Sequence, residues 1–278
     1  VKKCRAHRVK VEYGSAPSQF GHVYHPVTGV GPADSVRAVV LVHGGYWTTE
    51  FGLTIETAIA RQFTERGAVV WNVEYRRVGE DGGGWPNSGR DVLAALRALD
   101  GPVREALPAA LSAQVDWGSV AVVGHSAGGQ LAVWSVAQLR ARTDSCHIST
   151  VIAQSAALDL ESGAERPSIR GLMGRPYAEI PHRYREASPI AQEPFPAHVV
   201  AIHAEDDTAI PVESSRRYVD TVTQRGQSAE LVVVPGRGTT RSSIREARPR
   251  GRPCGCWASD GRPMPEYCLL IRGSIALD

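Results

Sequence analysis

The chain has 278 residues, 42% hydrophobic and 22% charged, proportions that suit one large soluble core rather than a disordered or membrane-spanning polypeptide. Its 31 basic and 29 acidic residues leave a net charge of +2, so nothing in the composition calls for a nucleic-acid or acidic-membrane partner. Five cysteines, an odd number without framework spacing, fit a reduced compartment, and the basic opening VKKCRAHRVK has no apolar stretch behind it. The expected location is cytoplasmic. Cys254 and Cys256 have no second Cys/His pair downstream, so no metal site is expected.

In chain order, residues 9–13 alternate as an edge strand and residues 21–26 read as its hairpin partner, stopped by Pro26. Residues 36–42, VRAVVLV, form the continuous apolar run of a strand covered on both faces, and they lead directly into His43-Gly44-Gly45-Tyr46-Trp47. Residues 53–66 predict a helix with Leu53, Ile55, Ala58, Ile59 and Phe63 inward, closed by Gly67 ahead of a strand at 68–75. A glycine-rich loop at 80–90 precedes a helix over 91–99 with Val92, Leu93, Leu96 and Leu99 inward. Residues 119–123 are another buried strand, and 130–139 return to helical spacing through Leu131, Trp134, Ser135 and Gln138.

After a strand at 147–156 the rhythm is lost, and residues 157–196 collect Gly, Pro, Tyr and Arg. A long irregular insert beside strand C-termini predicts a small cap over a pocket, the alternative being a surface excursion without substrate contact. A strand at 198–204, a helix at 212–226 and a strand at 229–236 restore the pattern. The alternation predicts an α/β fold built on a mostly parallel, doubly wound sheet with an N-terminal antiparallel hairpin.

The chemistry concentrates at Gly124-His125-Ser126-Ala127-Gly128-Gly129, a G-x-S-x-G pattern between strand and helix. A serine on such a sharp turn stands exposed above the sheet, and side chains at Gly124 or Gly128 would strike the neighbouring helix and strand. The helix starting there points its free N–H groups and positive dipole end at charge developing on a substrate oxygen. A serine nucleophile also needs a base, an acid to orient that base, and oxyanion donors. The donors expected are the N–H of Ala127 and those of the Gly44-Gly45-Tyr46 turn, with His43 holding that turn in place rather than acting as base.

Taken together, HGGYW, GHSAGG and EDDTAIPVESSRRY resemble the oxyanion, nucleophile and acid motifs of the α/β-hydrolase superfamily, in its esterase and kynurenine formamidase-like branch. The resemblance covers roughly residues 9–238. It implies Ser126 as nucleophile, an acyl-enzyme, no cofactor or metal, and a small ester or amide as substrate. Of the acidic residues 205–207 it selects Asp207, four residues before Pro211, with Asp206 as runner-up. It places Trp47 against the substrate, with Trp85 either beside it or merely packing.

The family order is Ser, Asp, His, yet none of the nine histidines follows Asp207. The upstream alternatives are His22, His147 and His182. From Thr239 the composition also changes: residues 239–278 are rich in Arg, Pro and Gly and hold three of the five cysteines. In a chain whose only lysines are Lys2, Lys3 and Lys10, pointing to a GC-rich gene, that is the character of an out-of-frame reading. Threonine codons begin AC, so a Gly238 codon ending in C supplies CAC, histidine, one frame over. The domain reading is therefore 1–238 as the hydrolase domain with an insert at about 157–196, followed by an atypical, frame-shifted tail. The alternative function is a silent fold of this class that keeps the pocket without the base.

Overall fold

The computed structural model describes residues 6–27 and 35–237. The expectations for the tail from Thr239 onward lie outside the described residues. Eight strands form one sheet in the order β1-β2-β4-β3-β5-β6-β7-β8. β1 (Ala6–Glu12) and β2 (Phe20–Pro26) are the expected antiparallel hairpin, and β2 lies antiparallel to β4 (Val69–Val73). From β4 onward every pairing is parallel: β3 (Ala38–Val42), β5 (Val120–His125), β6 (Ile148–Gln154), β7 (His198–Asp206) and β8 (Ala229–Arg237).

The apolar runs are buried because both sheet faces are covered. Alternate residues of each strand go to opposite sides. Val39, Leu41, Val70, Val123 and Ile152 share one core cluster with Ala60 and Phe63 of α1 (Thr57–Glu65). Val40, Val42, Trp71 and Val122 belong to the larger core on the other face, which includes α2 (Asn87–Arg97) and α5 (Ala127–Gln138). Between those two helices the chain makes the short helices α3 (Pro102–Glu105) and α4 (Ala109–Ser112). α8 (Val212–Gln224) adds Tyr218 and Val222 to the same core. Each such aliphatic or aromatic side chain contributes about 1.5–3 kcal/mol by burial.

Three local expectations need correction. The helix expected over 53–66 begins as a 3-10 turn, Leu53–Glu56, before α1 takes over. That tighter winding shifts the phase, so Leu53, Glu56, Ala60, Phe63 and Thr64 face inward while Ile55 and Ala58 are exposed. The loop expected through residue 90 ends earlier, since α2 starts at Asn87 and buries Ser88, Gly89, Asp91, Val92, Ala95 and Leu96. Asp91 is tolerated there because its carboxylate takes two charge-assisted bonds from the Arg76 guanidinium, at 2.7 and 2.8 Å. Finally, the irregular insert carries two short helices, α6 (Pro167–Met173) and α7 (Pro181–Ala187), each opened by a proline whose missing N–H costs nothing at a first helical turn.

The parallel register aligns the strand ends that matter. Val42 lies opposite Gly124, His125 opposite Gln154, and Gln154 opposite Ile202. The segments after β3, β5, β6 and β7 therefore all emerge at one edge, where ligands of open α/β sheets bind.

Candidate active site

At that edge the backbone is strained in three neighbouring places. Gly45, Tyr46 and Trp47 follow β3 with φ of 116, 56 and 59°, Ser126 follows β5 at 50°, and Ser155 follows β6 at 41°. Positive φ at residues with a β-carbon costs of the order of 1–3 kcal/mol each and persists only where surroundings impose it. At Ser126 the imposition is visible: its N–H donates to the Gln154 carbonyl at 2.8 Å while α5 begins at the next residue. The flanking glycines are required as expected. A β-carbon on Gly128 would lie 2.2 Å from the Val42 carbonyl oxygen, and one on Gly124 would lie 2.5 Å from that of Gly128.

The HGGYW turn is brought against this elbow, since a β-carbon on Gly44 would come 3.3 Å from Ser126 Cβ. His43 is completely buried and both ring nitrogens are engaged: Nδ1 with the Gly44 carbonyl and Nε2 with Glu74 Oε1, each at 2.8 Å. Its ring stacks on Tyr75 at 4.4 Å, and the Tyr75 hydroxyl donates to the His43 carbonyl at 2.9 Å. Glu74 binds this corner together by also accepting from Leu53 N at 3.0 Å and Tyr75 N at 3.1 Å. Burial alone raises a carboxyl pKa, but the bonds and charge of His43, the Leu53 N–H and Arg77 outweigh it and hold Glu74 below its ordinary value. Sequence reasoning assigned the structural role to His43 and missed Glu74, whose signal was a lone acid directly after an apolar strand.

Trp47 is only 3% exposed, and its indole N–H donates to Gln130 Oε1 at 3.1 Å. Gln130, fully buried on α5, passes the connection on by donating from Nε2 to the Ala187 carbonyl of α7 at 2.8 Å. Trp85 packs edge-on against Trp134 at 4.7 Å instead of joining the wall.

Asp207 and its two acidic neighbours differ sharply. Glu205 and Asp206 end β7 exposed, whereas Asp207 is buried and its Oδ1 accepts from Ala209 N at 2.8 Å and Ile210 N at 3.0 Å. His203 braces this turn: its Nε2–H donates to the Ile210 carbonyl at 2.8 Å and lies 3.7 Å from Asp207 Oδ2, and Nδ1 shares a hydrogen bond with the Ser215 hydroxyl at 2.7 Å. The Asp207 carboxylate also reaches His125 electrostatically, opposing the burial that pushes that imidazole pKa down.

Tyr46, Trp47 and Ser126 share a cavity of about 320 Å³ with Asp159, Ser162, Arg166 and Ile169 of the insert and Ala209, Ile210 and Pro211 after Asp207. The insert thus forms one wall. Among the described lining residues there is no histidine. His147 bonds the Gly118 carbonyl just before β6, at the opposite edge of the sheet, His22 lies on β2, and His182 is exposed on α7. No helix among the described residues is long and apolar enough to cross a membrane. A serine raised on a strained turn against a glycine turn, facing a cavity that the loop after a buried carboxylate also lines, is an arrangement suited to acyl transfer.

Comparison with known proteins points the same way. The BD-FAE family model matches residues 23–221. A probable isoprenylcysteine alpha-carbonyl methylesterase of Arabidopsis thaliana is 21% identical over 254 residues, covering 84% of this chain and 51% of that protein. The chain thus spans about half the length of this curated relative. Among solved structures, a truncated carbohydrate esterase from gut microbiota superposes with a TM-score of 0.68 at 18% identity, covering 86% of this chain and 90% of that one. Esterase B from Lactobacillus rhamnosis gives 0.67 at 14% identity with coverage of 84% and 75%, and a hyperthermophilic esterase of the archaeon Pyrobaculum calidifontis 0.62 at 23% with 84% and 74%. At such identities the structures establish the shared fold.

Proposed function

The chain belongs to the BD-FAE family, a family of α/β-hydrolase esterases, and on that premise we propose that it is a serine hydrolase of small carboxylic esters acting through an acyl-enzyme. The observation that carries the proposal is Ser126, held at φ 50° on the strand-to-helix turn and facing a cavity walled by the HGGYW turn and the Asp207 loop. In the reaction Ser126 Oγ attacks the ester carbonyl carbon as its proton passes to a base. The resulting oxyanion accepts bonds from the N–H groups of Ala127 and the Gly44-Gly45-Tyr46 turn. Collapse breaks the carbonyl-to-alkoxy bond, the alcohol leaves with the proton, and water releases the acid by the same path. Asp207 is the orienting acid, a role supported by its burial beside two exposed carboxylates. An aryl formamide is the second acyl substrate to assay, as an amide of similar size.

The base is the missing part, because no histidine follows Asp207 in the sequence and none of the described cavity residues is one. That same observation favours a second reading, a silent hydrolase fold that retains the pocket. A fluorophosphonate probe and p-nitrophenyl butyrate, applied to the 278-residue chain and to its Thr239→His variant, separate them. With the histidine supplied, labelling and turnover at Ser126 should rise by orders of magnitude, since loss of a triad histidine elsewhere costs roughly 10⁶ in kcat. Failure of both chains to label Ser126 would overturn the serine mechanism. Ordinary esterase rates in the unaltered chain would overturn the missing base, and those rates together with an uninterrupted reading frame through codon 239 would overturn the frame-shifted reading of the tail.

A further inference from the structure

Taking Ser126 as the reacting group, we infer that the cavity selects esters whose acyl or alcohol part carries a carboxylate, and that Arg166 binds it. Four charged side chains line the cavity: Asp159, Arg166, Glu213 and Arg217. Three of them are already matched. Arg217 Nη2 donates to Asp159 Oδ2 at 2.9 Å and to Ser162 Oγ at 2.7 Å, and the Glu213 carboxylate accepts from Arg216 Nε at 3.2 and 3.3 Å. Arg166 is different. Its Nη1 donates to the Ala209 carbonyl, and among the described residues no carboxylate pairs with it.

The single bond to Ala209 matters for where the charge sits. It ties the insert to the turn that also satisfies Asp207 through the Ala209 N–H, and so holds the exposed guanidinium at the cavity's edge. Among the described residues the Nε and Nη2 edge bonds no protein acceptor, and that edge is the planar fork that matches the two oxygens of a carboxylate. Ile169 and Ile210, lining the same cavity, supply apolar surface for the hydrocarbon between the ester and its charge. Arg166 is itself exposed, so its attraction for an anion is screened by water and should weaken as salt is added.

The test reads binding, so that it does not depend on turnover. The full chain carrying Ser126→Ala is titrated calorimetrically with the monomethyl esters of succinate, glutarate and adipate, and with the matching neutral dimethyl esters. At least one monoanion should bind about 10- to 100-fold more tightly than its diester, the range a hydrogen bond to a charged group provides. That advantage, read as the ratio of monoanion to diester affinity within each variant, should shrink with added salt, vanish in Arg166→Gln and return in part in Arg166→Lys. Equal affinities at every chain length, absence of monoanion binding, or a preference that survives Arg166→Gln would overturn the assignment. Labelling of Ser126 without anion preference removes the Arg166 inference alone. Anion preference without any Ser126 labelling leaves it standing and removes the esterase reading.

Discussion

Glu56→Gln should change how stability depends on pH. Glu56 is 7% exposed at the junction between the 3-10 turn and α1, and burial pushes its carboxyl from an ordinary 4.5 to about 7, against the opposing influence of His43. An acid whose folded value lies above its unfolded one binds a proton more tightly when folded. Its contribution is therefore fully present below pH 4.5 and is lost as pH rises through about 7. At ~1.4 kcal/mol per unit of difference, the loss comes to about 3 kcal/mol. Glutamine keeps the shape and cannot ionise. Relative to the unaltered protein, Glu56→Gln should gain about 3 kcal/mol between pH 4.5 and pH 8, or roughly 6–12 °C in Tm for a domain of this size. Thermal melts of both proteins at the two pH values, at matched ionic strength, measure this directly. Every other titrating group is common to the pair and cancels in the difference. A Tm difference that stays constant across pH would refute the reasoning.

Four further outcomes are expected. Glu74→Ala removes the acceptor of His43, Leu53 N and Tyr75 N and should cost about 3–5 kcal/mol in urea unfolding; because Glu74 is held below its ordinary 4.5, its stabilisation is complete above that value and the gap to the variant should narrow as pH falls further. Ser126→Gly relieves a positive φ and should raise stability by about 1 kcal/mol while abolishing probe labelling, so a lower Tm would contradict strain at the turn. Gly128→Ala places a β-carbon against the Val42 and His43 carbonyls, backbone atoms that cannot retreat cheaply, and should cost about 1–3 kcal/mol by calorimetry together with loss of labelling. In the Thr239→His chain, Asp207→Asn should reduce turnover more than Asp206→Asn, and the opposite order would reverse the assignment.

Strands were the legible part of the sequence because a parallel sheet buried on both faces leaves unbroken apolar runs such as AVVLV, which few other environments tolerate. The elbow was legible for a related reason: Gly124 and Gly128 stand where backbone meets backbone, and such close approaches leave a mark at single positions. Helix faces were less so. One 3-10 turn at Leu53–Glu56 was enough to rotate Ile55 and Ala58 outward, and periodicity read at a fixed 3.6 residues cannot register it. Partners remote in sequence were invisible altogether. Glu74 meets His43 across 31 positions and Gln130 meets Trp47 across 83, pairings that only the assembled sheet creates. Arg166 was hidden differently, as one arginine among many in a stretch without rhythm; its significance comes from the acids around it being taken.

Gln130 has a bearing on how this pocket can diversify. A single amide on the helix behind Ser126 receives the Trp47 N–H with one end and grips the Ala187 carbonyl with the other. A different insert grafted in place of the present one would hold the Trp47 turn through Gln130 only if it presents a carbonyl where Ala187 now does. Changes at the α7 end disturb this bond, whereas the stretch between Asp159 and Ile169 lines the cavity without carrying it, so substitutions there leave it intact. New substrate ranges could be inherited there without rebuilding the machinery beneath.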